Sequence, residues 1–473
     1  MLLAQFYEKE PRTAIRKTCA LLEGSYALGI LFEDQPGKIY AIRRNSPLII
    51  GKGEQENFIA SDIPAILKYT RSYYLPEEGE LAEITKDEIL FFDAADQPIE
   101  KTLATADWDE QAARKAGYDH FMAKEIAEQP EVVRETIRRY LKNGILFEEL
   151  GNSFKVAGTL RIVACGSAYH AGLLGKQIIE KLARIPVEVS LASEFRYADP
   201  LLTKEDLVVA ISQSGETADT LAALREAKAR GAKTVAIVNV LASSAAREAD
   251  HVIYTWAGPE IAVATTKAYS AQLSVMYLLA LTAAKARGTL SDEEIRTYCR
   301  ALRDLPAQIE QTLATAEAMK DLAQLYHERN DSFFIGRGID YMTCQEASLK
   351  LKEIAYVHSE AYAGGELKHG PISLIEDGTP VIALDCDPAL HEKQISNIKS
   401  VKARGAKVIL ITNGDFEIDE TMCDHVVKIP ACPYFMAASL AILPVQFYAY
   451  YVGVFRGCDI DKPRNLAKSV TVE

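Results

Sequence analysis

The chain repeats itself, and that repeat decides what it can fold into. Lys228-Ala229-Arg230-Gly231-Ala232-Lys233 recurs as Lys402-Ala403-Arg404-Gly405-Ala406-Lys407. Each copy is followed by an apolar, strand-like run ending in asparagine, Asn239 and Asn413. An apolar run followed by Gly166 recurs at 333–335, followed by Gly336 and Gly338, and Ser193-Glu194 is matched to Ser359-Glu360. Chance does not give a six-residue string matching flanks, so one domain has been duplicated in tandem. Within the first copy, short apolar runs at 160–164, 187–191, 206–211 and 234–238 alternate with helical spacing at 169–182 and 218–230, and two long helices fill 265–317. That alternation predicts a parallel sheet with helices on both faces, an α/β fold.

The first copy carries a distinctive turn. Ser212-Gln213-Ser214-Gly215-Glu216-Thr217 lies between a strand and a helix that Gly231 stops. Backbone N–H groups at a helix start attract an anion, and the hydroxyls of Ser212, Ser214 and Thr217 add neutral donors. No P-loop lysine is present, so a monophosphate fits better than a nucleoside triphosphate. An ordinary helix cap would use the same residue types. The second copy has Asp385-Cys386-Asp387-Pro388 at this place, and carboxylates there would repel phosphate. One copy is expected to bind the anion and the other to supply something else.

The remaining sequence narrows the class. Net charge is −13, which disfavours nucleic acid as a partner. The eight cysteines form no CxxC pair and no histidine cluster accompanies them, which argues for reduced thiols in a cytoplasm and against a metal. The start of the chain is too short and charged for a signal peptide. The uncharged stretch 431–455 is long enough to cross a bilayer but contains Pro433, Pro444 and Gln446, so it is expected to be a buried core helix rather than a membrane span. Residues 1–105 are β-rich, with strands at 25–32 and 38–43 around an Asp34-Gln35-Pro36-Gly37 turn. Residues 106–150 form a charged, helical connector in which Pro130 signals a helix start. The two copies occupy 151–317 and 318–473.

Three segments could do chemistry. A helix expected over 345–358 places Glu346, Lys350 and Glu353 on one face, with Ala347, Leu351 and Ile354 opposite. A carboxylate beside an ammonium can move a proton, although most such pairs are solvated surface ion pairs. Gly364-Gly365-Glu366-Leu367-Lys368-His369-Gly370-Pro371 is a glycine-bounded loop whose histidine could open a sugar ring near neutral pH, or be a surface histidine. The tail from Asp461 to Glu473 is polar yet ends in a β-branched run, and its Lys468 could form a Schiff base if desolvated. A tail lysine is otherwise solvated.

Together these pieces identify a resemblance. Ser212–Thr217, the segment Glu360-Ala361-Tyr362-Ala363 leading into the histidine loop, and the tail Arg464-Asn465-Leu466-Ala467-Lys468-Ser469-Val470-Thr471-Val472-Glu473 closely resemble the glutamine–fructose-6-phosphate aminotransferase (glucosamine-6-phosphate synthase) family. The repeats are similar to its paired sugar isomerase (SIS) domains. Residues 1–105, with Arg44-Asn45-Ser46-Pro47-Leu48 and Asn57-Phe58-Ile59-Ala60-Ser61-Asp62, resemble the later part of its N-terminal-nucleophile glutaminase domain. The resemblance implies an α/β chain of two tandem SIS domains preceded by a truncated glutaminase-like α+β segment. It implies that fructose 6-phosphate becomes glucosamine 6-phosphate without a cofactor. Ser167, Ser212, Gln213, Ser214 and Thr217 would hold the phosphate. Val263 and Thr265, after Glu260, would line the sugar. Lys468 would form the imine at C2, His369 would open the ring in a neighbouring subunit's site, and Glu353 would shuttle a proton between C1 and C2 beside Lys350. Ala168 departs from the family, which often has serine there.

The family's glutaminase starts with a cysteine after the initiator methionine, whereas Leu2 follows Met1 here and the first cysteine is Cys19. The resemblance then implies no glutamine hydrolysis, so that ammonia comes from elsewhere, such as a separate glutaminase, or only isomerisation remains, and it implies at least a homodimer. Residues 1–105 would be half of a sandwich with an uncovered apolar face, mobile or aggregation-prone. Two rival readings remain. A non-catalytic sugar-phosphate sensor would not need Glu353, His369 and Lys468 together, and a decayed remnant would not keep them for long.

Overall fold

In the computed structural model the described residues are 2–44, 46–61, 63, 65–105, 115–141, 151, 153–154, 158–414, 416 and 418–471. Much of the predicted connector 106–150 lies outside them, as do Asn45 and Asp62 of the quoted motifs and Val472 and Glu473 of the tail. The chain forms two compact units: residues 1–114 with 216–218 and 469–473, and residues 115–215 with 219–468.

The first unit carries strands β1 (Tyr26–Ile30), β2 (Ile39–Arg44), β3 (Ile49–Lys52), β4 (Asn57–Ala60), β5 (Ser72–Tyr74), β6 (Leu81–Ile84), β7 (Ile89–Phe92), β8 (Pro98–Ile99) and β9 (Ala104–Thr105). They build two sheets, ordered β1-β2-β6-β7-β8 and β4-β3-β5-β9, with antiparallel pairing. Side-chain alternation lets each sheet bury two faces. Ala41, Ala82 and Phe91 of one sheet meet Ile50 and Leu48 from the other. On its far side, the first sheet sets Tyr40, Ile42 and Leu81 against Ile15 of the helix Pro11–Cys19. On the far side of the second, Ile49 and Tyr73 pack on Ile63, Ile66 and Leu67. Among the described residues these faces are therefore covered by short local segments rather than left bare.

The second unit holds the duplication. Its first sheet comprises β10 (Leu160–Ala164), β11 (Val187–Leu191), β12 (Leu207–Ser212), β13 (Lys233–Val238) and β14 (His251–Tyr254). Its second comprises β15 (Asp331–Gly336), β16 (His358–Ala363), β17 (Pro380–Asp385), β18 (Lys407–Asn413) and β19 (His425–Ile429). Their orders, β11-β10-β12-β13-β14 and β16-β15-β17-β18-β19, are the same, and both sheets are parallel. Register makes Ser212 and Asp385 equivalent: each lies at the end of its strand, paired with Val238 and Thr412. The match of Ser193-Glu194 to Ser359-Glu360 fails. The first pair sits in the short helix Ala192–Phe195 after β11, whereas the second lies inside β16. A two-residue string has too little information to fix register.

One apolar core serves both repeats. It takes residues from both sheets and from the helices Gly166–Ala183, Lys267–Arg287, Ile339–Ala355 and Ala437–Phe455. The stretch 434–455 is the one described helix long and apolar enough to cross a membrane, and 83% of its most apolar window is buried inside the protein. Its Gln446 is fully buried and accepts a 2.6 Å hydrogen bond from Gln129, whose own Oε1 accepts from Ser270. Gln129 opens the helix Gln129–Tyr140, with Pro130 in its first turn as predicted.

Candidate functional site

In each sheet the order reverses between the first strand and the third, here β10 and β12. Ligands of open parallel sheets bind outside the carboxyl ends of the strands at that switch point. Ser167 follows β10 in the first turn of the helix Gly166–Ala183, and Ser212–Gly215 follows β12. The loop is tightly set. The Gly215 N–H donates to Ser212 Oγ at 3.0 Å, the Gly215 carbonyl accepts from Ala245, and the Gln213 carbonyl accepts from Asn239. Gly215 has φ +67°, and a Cβ there would lie 2.1 Å from Ser243 Oγ. Only glycine fits that backbone and that gap. Ser214 is half-buried, and Thr217 follows in the same loop just ahead of the helix Ala218–Ala229.

The second repeat contributes a helix. It runs Ile339–Ala355, starting earlier than predicted and ending at Tyr356, which adopts φ +56°; His358 already belongs to β16. The face carrying Glu346 and Lys350 is not solvated, since both side chains are 0% exposed. Ala347, Leu351 and Ile354 are also buried, so the helix has no water-facing stripe along these positions. Lys350 Nζ lies 2.5 Å from Glu353, 3.4 Å from Glu346 and donates to Ser167 Oγ at 3.0 Å. Ser167 in turn donates to Glu346 Oε1 at 2.8 Å, and His170 Nδ1 is 2.8 Å from the other Glu346 oxygen. Burial alone would strip the Lys350 charge, but Glu353 and Glu346 outweigh it and raise its pKa. Burial likewise opposes ionisation of Glu346, yet Lys350 and His170 hold its pKa below the usual range. The result is a buried, charged chain from one repeat's helix to the other's, leaving Glu353 22% exposed at its open end.

The tail lysine is not solvated either. Lys468 is 22% exposed and donates to Glu260 Oε2 at 2.6 Å and to the Ala262 carbonyl at 2.8 Å. Glu260 Oε1 accepts from Thr266 and Ala268, at the start of the helix Lys267–Arg287. Burial would raise the Glu260 pKa, but Lys468 and these N–H groups bring it down. Between Ala262, Ala264 and Thr266, which are buried, Val263 and Thr265 alternate to the half-open side, and the Val263 N–H donates to the Asp461 carbonyl.

His369 ends the short 3-10 helix Glu366–His369 and is exposed. It joins none of the groups above within this chain. Sequence reasoning missed His170 and Glu125 altogether. Glu125 reads as a solvated charge in Lys124-Glu125-Ile126-Ala127-Glu128, because its partners Ile261 and Ala262 are far away in sequence.

The equivalent crevice of the second repeat is filled from within. Asp340, in the first turn of the helix Ile339–Ala355, accepts the Cys386 N–H at 2.8 Å through Oδ2. A carboxylate thus takes the backbone donors at the end of β17. Burial pushes Asp340 up to about 7 and Asp385 up to about 6, with His391 opposing the latter from 2.6 Å. Both folded values exceed the unfolded one of about 4, so the native state binds more protons above pH 4. Stability from these groups is therefore greatest near pH 4 and declines as pH rises to about 7. Asp340→Asn keeps the acceptor without the charge. We expect it to flatten that slope and to stabilise the unit by about 1–3 kcal/mol at pH 8, read by urea unfolding across pH.

Comparison with known proteins agrees with the duplication. The SIS domain family model matches residues 153–282 and again 324–455. The glutamine–fructose-6-phosphate aminotransferase [isomerizing] of Clostridium tetani is 51% identical over 478 residues, covering 100% of this chain and 78% of that protein. The protein of the same name from Methanosarcina acetivorans is 45% identical, covering 97% and 75%. Among solved structures, the C-terminal domain of glucosamine-fructose-6-phosphate aminotransferase from Francisella tularensis superposes with TM-score 0.71 and 38% identity, over 74% of this chain and 100% of that one.

Proposed function

We propose a function from one premise: the chain belongs to the glutamine–fructose-6-phosphate aminotransferase family. It binds fructose 6-phosphate and converts it, with ammonia, to glucosamine 6-phosphate. The observation that carries this reading is the Lys468 amine, lifted largely out of bulk water by Glu260 and the Ala262 carbonyl. A desolvated amine next to a carboxylate can lose its proton and attack a carbonyl.

In this reading Ser167, Ser212, Gln213, Ser214 and Thr217 hold the phosphate with neutral donors, and Val263 and Thr265 border the sugar. Lys468 adds to C2 of the open ketose and expels water as the imine forms. Ammonia displaces the lysine, leaving a C2 imine of the sugar. Glu353 then takes a proton from C1, giving an enolamine, and returns it to C2 while the O1 hydroxyl proton passes to the nitrogen, leaving the aldehyde at C1 and the amine at C2, with Lys350 balancing the charge. His369 opens the ring, and its exposed position in this chain supports donation into the site of a second copy. The nitrogen arrives as ammonia. The sensor reading does not account for a fully buried lysine, Lys350, held between two carboxylates.

The test is incubation with fructose 6-phosphate, with and without ammonium, followed by borohydride reduction. A hexose-phosphate adduct on Lys468, with glucosamine 6-phosphate formed when ammonium is present, is expected. Binding with no adduct and no product would overturn the reading. The phosphate grip has its own test. Gly215→Ala forces a side chain onto Ser243 at a left-handed backbone position and should weaken fructose 6-phosphate binding by on the order of tenfold, measured by calorimetry. Unchanged affinity would move the phosphate elsewhere.

A further inference from the structure

Glu125 belongs to the helix Phe121–Ala127 and is 2% exposed. Its Oε1 accepts the N–H groups of Ile261 and Ala262, at 2.5 and 3.2 Å. Its Oε2 is buried and has no hydrogen-bond partner among the described residues. Ala262 is the residue whose carbonyl holds Lys468, and Glu260, one position before Ile261, holds the same ammonium. The strap 260–262 is thus gripped by the amine on one side and by Glu125 on the other. A buried carboxylate with an idle oxygen is costly unless it serves a neighbour's charge.

We infer that Glu125 is a positioning residue for the Lys468 amine: it pins the 260–262 strap against which the amine is held and sets a second carboxylate facing it. The inference deepens the function proposed above and rests on it for its purpose, but not for its test. The charged groups facing Glu125 are Glu260 on the strap, Lys468 on the tail and Lys267 on the helix behind the strap, with Lys124 and Glu128 on its own helix. Burial and Glu260 push Glu125 up to about 8, with Lys468 opposing. Below that pH Glu125 is neutral and leaves the ammonium to Glu260 alone. Above it a second negative charge faces the ammonium.

The experiment reads the amine without substrate. Lys468 acetylation by trace acetic anhydride is followed by mass spectrometry from pH 6 to 10 in the full chain and in Glu125→Gln, which keeps one acceptor for the strap. At pH 7 the two should react alike. By pH 9.5 the variant should react about tenfold faster, because the second negative charge facing the ammonium is gone. In the unmodified chain alone, the tenfold-per-unit rise should slow near pH 8. A variant-to-parent ratio that stays flat across this range overturns the inference. Should the variant not fold, an unbroken rise in the unmodified chain does the same. Borohydride trapping of the sugar on the unmodified chain is run in parallel. An absent adduct there counts against the proposed function, whereas the acetylation profile reports on Glu125 alone.

Discussion

Lys468→Arg should abolish the borohydride-trapped sugar adduct and reduce formation of glucosamine 6-phosphate by about 10³-fold or more, with affinity for fructose 6-phosphate changed by less than about threefold. The reasons are chemical and geometric. A guanidinium keeps its proton at any accessible pH, so it cannot attack C2. It does preserve the ion pair with Glu260, which holds Lys468 Nζ at 2.6 Å, so the tail and strap should stay in place. The phosphate donors lie on separate segments, after β10 and β12, and should still bind. Loss of binding in step with turnover would instead mean that Lys468 anchors the tail or the substrate. Retained turnover would exclude it from the chemistry. The two failures differ, so calorimetry and product assays should be run on the same preparation.

The second large effect is expected at Glu346→Ala, which should destabilise the two-repeat unit by about 3–5 kcal/mol in urea unfolding at pH 7. Glu346 is fully buried and supports Lys350, Ser167 and His170 at once. Its removal leaves a 0% exposed ammonium with Glu353 as its remaining carboxylate. Replacing the pair together, Glu346→Leu with Lys350→Met, removes both charges and should recover most of the stability. It should not recover turnover, because the charge beside Glu353 is gone. A single substitution costing less than about 1 kcal/mol would mean that water reaches this pair. In that event the dry environment invoked for the chemistry would not exist.

The architecture was readable from sequence because duplication speaks twice. Strand positions such as 160–164 and 187–191 and the equivalence of Ser212 with Asp385 follow from apolar runs and turns whose causes are local. The site was readable only in part. Ser212–Thr217 announces itself because hydroxyls and glycine at a strand-to-helix turn have a local meaning. Lys350 and Lys468 do not. By spacing alone one is a surface ion pair and the other a loose tail, and burial by distant segments makes each something else. Glu125 was invisible for the same reason: its hydrogen bonds span more than 130 residues. The covered faces of the first unit were misjudged because the segment 63–70 that covers one sheet carries no regular spacing to announce its part.

The common core has a consequence for how this chain can change over generations. Both repeats bury residues in one apolar cluster, through matching helices Lys267–Arg287 and Ala437–Phe455. Substitutions there are felt by both copies, so the interior keeps the halves alike. The ends of the strands are under no such tie. They are where the two copies have parted, one keeping hydroxyls and the other an acid lodged over its own backbone amides. Inheritance of shape and freedom of chemistry are thus divided between the middle of each sheet and its rim.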